Sequence, residues 1–341
     1  MKMHYLLIGG AGYIGSHVAE ELHKKNEKVI IYDNLSTGFK EFVDSKSKFY
    51  KGDILNKARL KKVFDENQID VVIYLAGLIK VGESVQFPLK YYKTNIQGLI
   101  NVLELMDEHK VNNLVFSSSA AVYGNESNKG GYFTETDDKK PISPYGKTKA
   151  YGEEIIKDYA QTNKNFHYTF LRYFNVAGAS LSRKIGYLTK NNLQPTHLLP
   201  AISYYAFGLL KNFKIYGNDY KTDDFTCVRD YVYVSELAYL HILSAEFMLK
   251  NKQNKIYNIG SSKGFSNLEI FKAFEKNLNK DLNLEYGPRR SGDPDILIAD
   301  SELIQKELNY QIHTSLDDIV KNEIEFRKTH LNGFKNKSKI K

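Results

Sequence analysis

Tyr145 and Lys149 stand four residues apart in SPYGKTK, a stretch with helix-forming character after Pro144. Residues four apart lie on one face of a helix. An ammonium beside a phenol stabilises the phenolate, so this spacing predicts a lowered Tyr145 pKa and a proton acceptor nearer neutral pH. Just upstream, the apolar run ending in VFSSS reads as a buried strand with Ser117, Ser118 and Ser119 at its C-terminal end. A serine hydroxyl there can share the same proton. By itself, a tyrosine and a lysine at this spacing also describe an ordinary exposed helix. The pair gains weight only if a nucleotide site lies upstream.

Such a site is written at the start of the chain. His4 to Ile8 is an apolar run, followed by Gly9, Gly10, Gly12 and Gly15. The helical stretch SHVAEELHKK comes next, and KVIIYD reads as a second strand ending in Asp33. This is the strand–helix–strand opening of a doubly wound nucleotide-binding sheet. Glycines let the backbone turn tightly and approach a pyrophosphate, and the helix N-terminus supplies amide donors. Asp33 can accept from a ribose diol and would repel a 2′-phosphate, which favours NAD over NADP.

The remaining elements follow the same alternation. A short β-like segment reaches Gly52 and ends at Asp53 and Ile54, with a helix to about Asn67. VVIYLAG, from Val71, is a continuous apolar run suited to a central parallel strand. It ends in Ala76 and Gly77, small residues that let a flat ring lie against the backbone. Pro88 opens a long helical stretch through Met106, with Asn95 inside it as a residue that can reach across to neighbouring loops. Asn113 to Ser118 and Tyr168 to Tyr173 are further strands. Ligands bind at the C-terminal ends of strands in open α/β sheets. From Asn175 to Val228 the sequence turns rich in Asn, Gly, Thr and Tyr and reads as substrate-binding excursions rather than core. Helical spacing returns over Val232–Lys250, KIYNIG gives another strand, and a helix follows from about Asn267 to Leu278. PRRSGDP then places Arg289 and Arg290 where, with Arg229, they can clamp a diphosphate.

The 341 residues carry 42% hydrophobic and 26% charged side chains, values of a globular chain with a real core. The fold class expected is α/β, a doubly wound parallel sheet with a smaller C-terminal substrate-binding domain. The expected division is 1–175 with return segments at about 230–262 for the nucleotide-binding domain, 176–229 with 263–330 for the second, and a frayed basic tail over 331–341. The single cysteine, Cys227, excludes a disulfide framework within the chain and suits a reducing cytoplasm. The first apolar run is too short for a membrane or signal segment. The formal net charge is +8, but the lysines are scattered, so nucleic acid is not an expected partner. No metal-ligand spacing stands out.

Taken in order, GGAGYIGSH, YDNLSTG, GDI, AGLIKVGESVQFPLKYY, FSSSAAVYG, SPYGKTK, LRYFNVAGA, YGNDY, VRDYVYV and PRRSGDP resemble the extended short-chain dehydrogenase/reductase superfamily. Within it they look like the UDP-hexose 4-epimerase family, over essentially the whole chain. The resemblance implies inversion at C4 of a UDP-glucose or UDP-galactose through a transient 4-keto sugar, with NAD as a cofactor that ends as it began. It implies cofactor contacts from Gly9, Gly12, Tyr13, Ile14, Gly15, Asp33, Asn34, Asp53, Ile54, Ala76, Gly77, Asn95, Tyr145, Lys149 and Tyr173. It implies that Ser119 and Tyr145 handle the sugar hydroxyl, with Lys149 as charge partner. The nucleotide sugar falls to Asn175, His197, Leu198, Tyr216, Arg229, Arg290, Asp293 and Leu297. Three positions depart from the family pattern. Ile79 stands where lysine is common, with Lys80 displaced by one, and His197 stands where asparagine is common. Leu297 replaces a frequent tyrosine and would leave room for an N-acetyl group at C2. A homodimer through the long helices around Leu99 and Ile155 is also implied.

Two other readings compete. A nucleotide-sugar dehydratase or decarboxylase would carry acids shortly after the catalytic serine, where this chain has Ala120 and Ala121. A dinucleotide-binding module without activity would not need Tyr145, Lys149 and Ser119, and all are present.

Overall fold

The structure, a computed structural model, describes residues 2–125, 127, 129–190, 194–290, 293–313, 315–331 and 333–334. The chain opens as β1 (His4–Ile8), α1 (Tyr13–Lys24), β2 (Lys28–Asp33), β3 (Lys48–Lys51), α2 (Lys57–Asp65) and β4 (Val71–Tyr74). Two short helices, α3 (Val81–Gln86) and α4 (Pro88–Tyr92), precede α5 (Gly98–Glu108) and β5 (Asn113–Ser117). β6 (Tyr132–Phe133), α6 (Pro144–Thr162) and β7 (His167–Tyr173) follow. The second half runs β8 (Asn175–Ala177), α7 (Leu198–Ala206), β9 (Lys214–Tyr216), β10 (Val228–Tyr233), α8 (Val234–Asn251), β11 (Lys255–Ile259) and β12 (Gly264–Ser266). It finishes with α9 (Asn267–Leu278), β13 (Glu285–Gly287), β14 (Ile296–Ala299), α10 (Glu302–Glu307) and α11 (Leu316–Thr329).

Seven parallel strands form one sheet in the order β11-β7-β5-β4-β1-β2-β3. The order reverses beside β1, where a doubly wound sheet opens its ligand crevice. The central strands β1 and β4 are largely apolar because both faces are covered. Tyr5, Leu7, Val29, Ile31 and Ile73 point to the face covered by Val18 and Leu22 of α1 and Leu237 and Leu240 of α8. Leu6, Ile8, Ile30, Val72 and Phe116 point to the face covered by Leu60 of α2, Leu99 of α5 and Ile156 of α6. A one-residue slip would exchange the two sets, so the register is tightly specified.

A second sheet runs β12-β10-β14-β6, with β8 also paired to β10, and β9 pairs with β13 alone. Two expectations change here. The segment 175–228 is not only excursion: Leu199, Ile202, Phe213 and Ile215 are buried in a core with Phe271, Phe274 and Ile319. The helical stretch expected from Pro88 to Met106 is continuous, with a π turn inside it over Lys93–Gln97. The tail also starts later than expected. Phe334 packs on Phe42 at 5.4 Å between ring centres, and 335–341 lie outside the described residues. No helix among the described residues is long and apolar enough to cross a membrane.

Candidate active site

The register of the large sheet lines up the C-terminal ends of its central strands. Ile8 is level with Tyr32 and Tyr74, and Tyr74 with Phe116. The loops after β1, β2, β4, β5 and β7 therefore share one edge.

At that edge Gly9 turns with φ +88°, and a Cβ on it would lie 2.8 Å from the Ala76 nitrogen. A side chain on Gly15 would run into the Gly9 carbonyl. The loop thus holds its shape only with glycine at both places. The first helical bond of α1 runs from Ser16 N–H to the Gly12 carbonyl, at 3.0 Å. The amides of Tyr13, Ile14 and Gly15 precede it and face out of the helix end. Asp33 is 8% exposed and accepts from Ala11 N–H at 3.0 Å and Leu35 N–H at 2.7 Å. Burial pushes its carboxyl up, and the two amide bonds pull it back. Asn34 donates to Asp53 at 3.0 Å, and Ile54 is buried beneath them. A cradle closed to side chains, a helix N-terminus and an acid on the neighbouring strand fit a dinucleotide. The Tyr13 hydroxyl is committed elsewhere, donating to the Gly178 carbonyl at 2.5 Å.

Asn95 lies in the π turn, a feature that often marks functional sites. Its Oδ1 accepts from Leu78 N–H at 2.8 Å, and its Nδ2 donates to the Leu78 carbonyl at 3.0 Å and to Thr148 Oγ1 at 2.9 Å. It ties the loop carrying Ala76 and Gly77 to the helix carrying Tyr145 and Lys149. Ile79 and Lys80, just beyond, are exposed.

Ser143 caps α6 by accepting from Gly146 N–H at 3.1 Å, and Pro144 starts it. Tyr145 and Lys149 are 8% and 5% exposed. Ser119 beside it favours the phenolate, yet burial wins and the Tyr145 pKa is raised. This corrects the expectation that Lys149 lowers it. The Lys149 ammonium donates to the Ser117 carbonyl at 2.7 Å, and burial drops its pKa to about 8 against the pull of Glu153.

Glu153, one turn beyond Lys149, sits in a buried network that the sequence reading missed. Arg172 of β7 meets both its oxygens, at 2.9 and 2.6 Å, and Ser118 donates to it at 2.6 Å. Arg172 continues to the Tyr123 hydroxyl at 2.9 Å. A fully paired buried ion pair of this kind fixes geometry more than it adds stability. Here it holds α6 against β5 and β7. The nearest sequence signal was a YxxxKxxxE spacing.

The remaining residues gather on the second sheet. Asn175 of β8 is level with Tyr231 of β10. Arg229 is level with Leu297 of β14 and pairs with Asp293 at 2.7 Å. Arg290 stacks on Tyr216, 4.7 Å from the ring centre, and no carboxylate pairs with it among the described residues. Arg289 is engaged with Asp295 at 2.8 Å and lies over Tyr220. Ser291 and Gly292 of the same loop lie outside the described residues. His197 is the exposed N-cap of α7, with its ring 5.0 Å from Tyr187, and Leu198 is half-buried behind it. Leu297 packs beside Ala120 and Val122, the residues that follow Ser119.

Residues 5–260 match the model of the NAD dependent epimerase/dehydratase family. A UDP-glucose 4-epimerase of Lactobacillus helveticus is 42% identical over 336 residues, covering 98% of this chain and all of that one. A crystal structure of a UDP-glucose 4-epimerase superposes with a TM-score of 0.93 at 36% identity, covering 97% and 99% of the two chains. The enzyme of that name from Bifidobacterium longum, solved with NAD+ and UDP, superposes with a TM-score of 0.91 at 34% identity over 97% of this chain and all of that one.

Proposed function

We propose that this chain, which belongs to the NAD dependent epimerase/dehydratase family, interconverts UDP-glucose and UDP-galactose by inverting C4 of the hexose. The observation that carries the reading is the Ser119–Tyr145–Lys149 cluster buried beside a dinucleotide cradle. Ala120 and Ala121 supply no acid after Ser119, which disfavours a dehydratase.

In this reading 1–175, with a return at about 230–262, serves the cofactor, and 176–229 with 263–330 serves the sugar nucleotide. Gly9, Gly12, the first-turn amides of α1, Asp33 and Asp53 hold the dinucleotide, with Ala76, Gly77, Lys149 and Tyr173 at its reacting end. NAD supplies the hydride acceptor and donor when bound. Tyr145 takes the proton of the C4 hydroxyl, directly or through Ser119, and returns it. Lys149 holds a positive charge where the phenolate forms. Arg229 and Arg290 hold the diphosphate while the sugar presents its other face. A guanidinium engages phosphate oxygens in a two-point fork, so the handle stays fixed as the ring turns.

The tyrosines and Ile155 of α4 and α6 suggest how copies associate. Leu99 points into the core, whereas Tyr92, Ile96, Tyr151 and Ile155 line an outward groove. We take this as a homodimer face, and the lone buried Cys227 as a mark of the reducing cytoplasm. One preparation tests the reading. Purified protein releases NAD, not NADP, on denaturation, runs at twice the chain mass by light scattering, and converts UDP-galactose to UDP-glucose by NMR. Absence of conversion with NAD bound overturns the function. A single-chain mass overturns only the dimer.

Leu297 favours an extension to the N-acetylated pair of sugars. It sits between the Arg229–Asp293 pair and the loop of Ser119, where a smaller wall leaves room beside C2. Leu297→Tyr is expected to slow UDP-N-acetylglucosamine turnover about 10-fold or more, in the range of a pocket size change, while hexose turnover falls much less. Equal losses on both sugars, or no N-acetyl turnover in the parent, refute it.

A further inference from the structure

The loop that leaves Asp33 at the end of β2 folds straight back onto the glycine turn. Phe39 N–H donates to the Ala11 carbonyl at 3.0 Å. Gly38 lies so close that a Cβ on it would stand 2.7 Å from that carbonyl. The loop backbone is not relaxed. Leu35 has φ +60°, a left-handed conformation that a residue with a side chain adopts only at a cost. Such a conformation persists where its surroundings over-determine it. Leu35 N–H is fixed by Asp33 Oδ1 at 2.7 Å, and its carbonyl accepts from the ammonium of Lys190, 155 residues away in sequence.

Two distant side chains grip this loop from outside. Lys190 is one, and its ammonium also lies over the Phe39 ring, 5.1 Å from the centre. Phe334 is the other, with ring centres 5.7 Å from Phe39 and 5.4 Å from Phe42. Both grips trace back to α11. The guanidinium of Arg327 donates to the Tyr187 carbonyl at 2.9 Å, three residues before Lys190, and pairs at 2.9 Å with Glu323. Both members of that pair are fully buried. His330 stacks on Phe326 at 4.3 Å and meets Phe334 edge-on at 5.3 Å. Phe42, Ile185, Leu188 and Phe326 form the small core between the two grips.

We propose that α11 and its end form a latch on the dinucleotide site: Lys190 and Phe334 hold the loop 34–42 against the glycine turn, and so set how long NAD stays bound. Asp33 and Ala11 belong to the cradle assigned to the dinucleotide, and the loop is tied to both. Loosening the loop therefore loosens the cradle. Lys190 and Phe334 are positioning residues, outside the Ser119–Tyr145–Lys149 cluster, so the chemistry of a loaded site does not depend on them. The latch rests on the dinucleotide part of the proposed function.

The test uses the full-length holoenzyme and follows exchange of its bound NAD for labelled NAD. Phe334→Ala and Lys190→Met should each release NAD about 10-fold faster than the parent, within the range for coupling between two sites. Phe334→Tyr, which keeps the ring, should release it at the parental rate. After NAD is stripped, hydrogen exchange of the Leu35 and Phe39 amides should be faster in the first two variants, because the loop opens locally more often. Their kcat for UDP-galactose at saturating NAD should match the parent's, whereas general damage to the fold would lower it however much NAD is supplied. If Phe334→Ala does not fold, Lys190→Met, which removes only the ammonium from a half-buried side chain, decides alone. Parental release rates in every folded variant overturn the latch, as does a kcat that saturating NAD does not restore. A parent that carries and binds no NAD overturns instead the dinucleotide reading beneath it.

Discussion

Tyr145→Phe turns over UDP-galactose about 10³-fold more slowly than the parent, within the range for losing a positioned general base, and still releases NAD when denatured. The change removes one oxygen from a side chain that is 8% exposed. The ring keeps its place, and the neighbour left behind is the Ser119 hydroxyl, which is half-buried and accepts from Ala121 N–H at 3.2 Å. Folding should therefore change little. The chemistry should change greatly, because the neighbouring groups are poorly placed to take the C4 proton: burial keeps Tyr173 in its neutral form, and Lys149 donates to the Ser117 carbonyl at 2.7 Å. Kinetics with UDP-galactose and titration with UDP separate the two effects. Near-parental kcat would mean that Tyr145 is not the base. Loss of UDP binding and kcat together would mean that the ring holds the pocket open.

Lys149→Met should be the second large loss, about 10²-fold or more in kcat, the low end for such groups, yet with no loss of fold. The reason is the burial of the ammonium. Its pKa falls from 10.5 to about 8, so the charged form is disfavoured in the folded protein. The shift corresponds to roughly 3 kcal/mol at 1.36 kcal/mol per unit. The folded state binds fewer protons than the unfolded state between pH 8 and 10.5. Stability from this group therefore rises with pH across that window and is lost as pH falls through it. Methionine fills a similar volume without the charge. At pH 7 the variant should melt no more than about 2 °C below the parent, the shift worth one kcal/mol in a chain of this size, even with the Ser117 carbonyl deprived of its donor. The parent's gain in melting temperature from pH 8 toward 10 should shrink in the variant. A drop of many degrees at pH 7 would show that the ammonium stabilises the fold. Retained turnover would remove Lys149 from the chemistry.

The parallel sheet, the glycine turn and the helix that follows were legible because each depends on neighbours in sequence. Continuous apolar runs such as VVIY need two covered faces, and Gly9 and Gly15 need no side chain. The tyrosine, lysine and serine of the site were legible for the same reason: four residues of helix place Tyr145 beside Lys149. Contacts between distant segments were not. The π turn that aims Asn95 at Thr148 joins residues 53 apart, and the Ser117–His241 bond joins residues 124 apart. His241 sits in an apolar helical stretch with nothing around it to set it off. Nor could spacing decide the protonation of the site. On paper Lys149 lowers the Tyr145 pKa through proximity alone. In the folded chain both are stripped of water, and desolvation disfavours the charged form of each, raising the tyrosine and lowering the lysine.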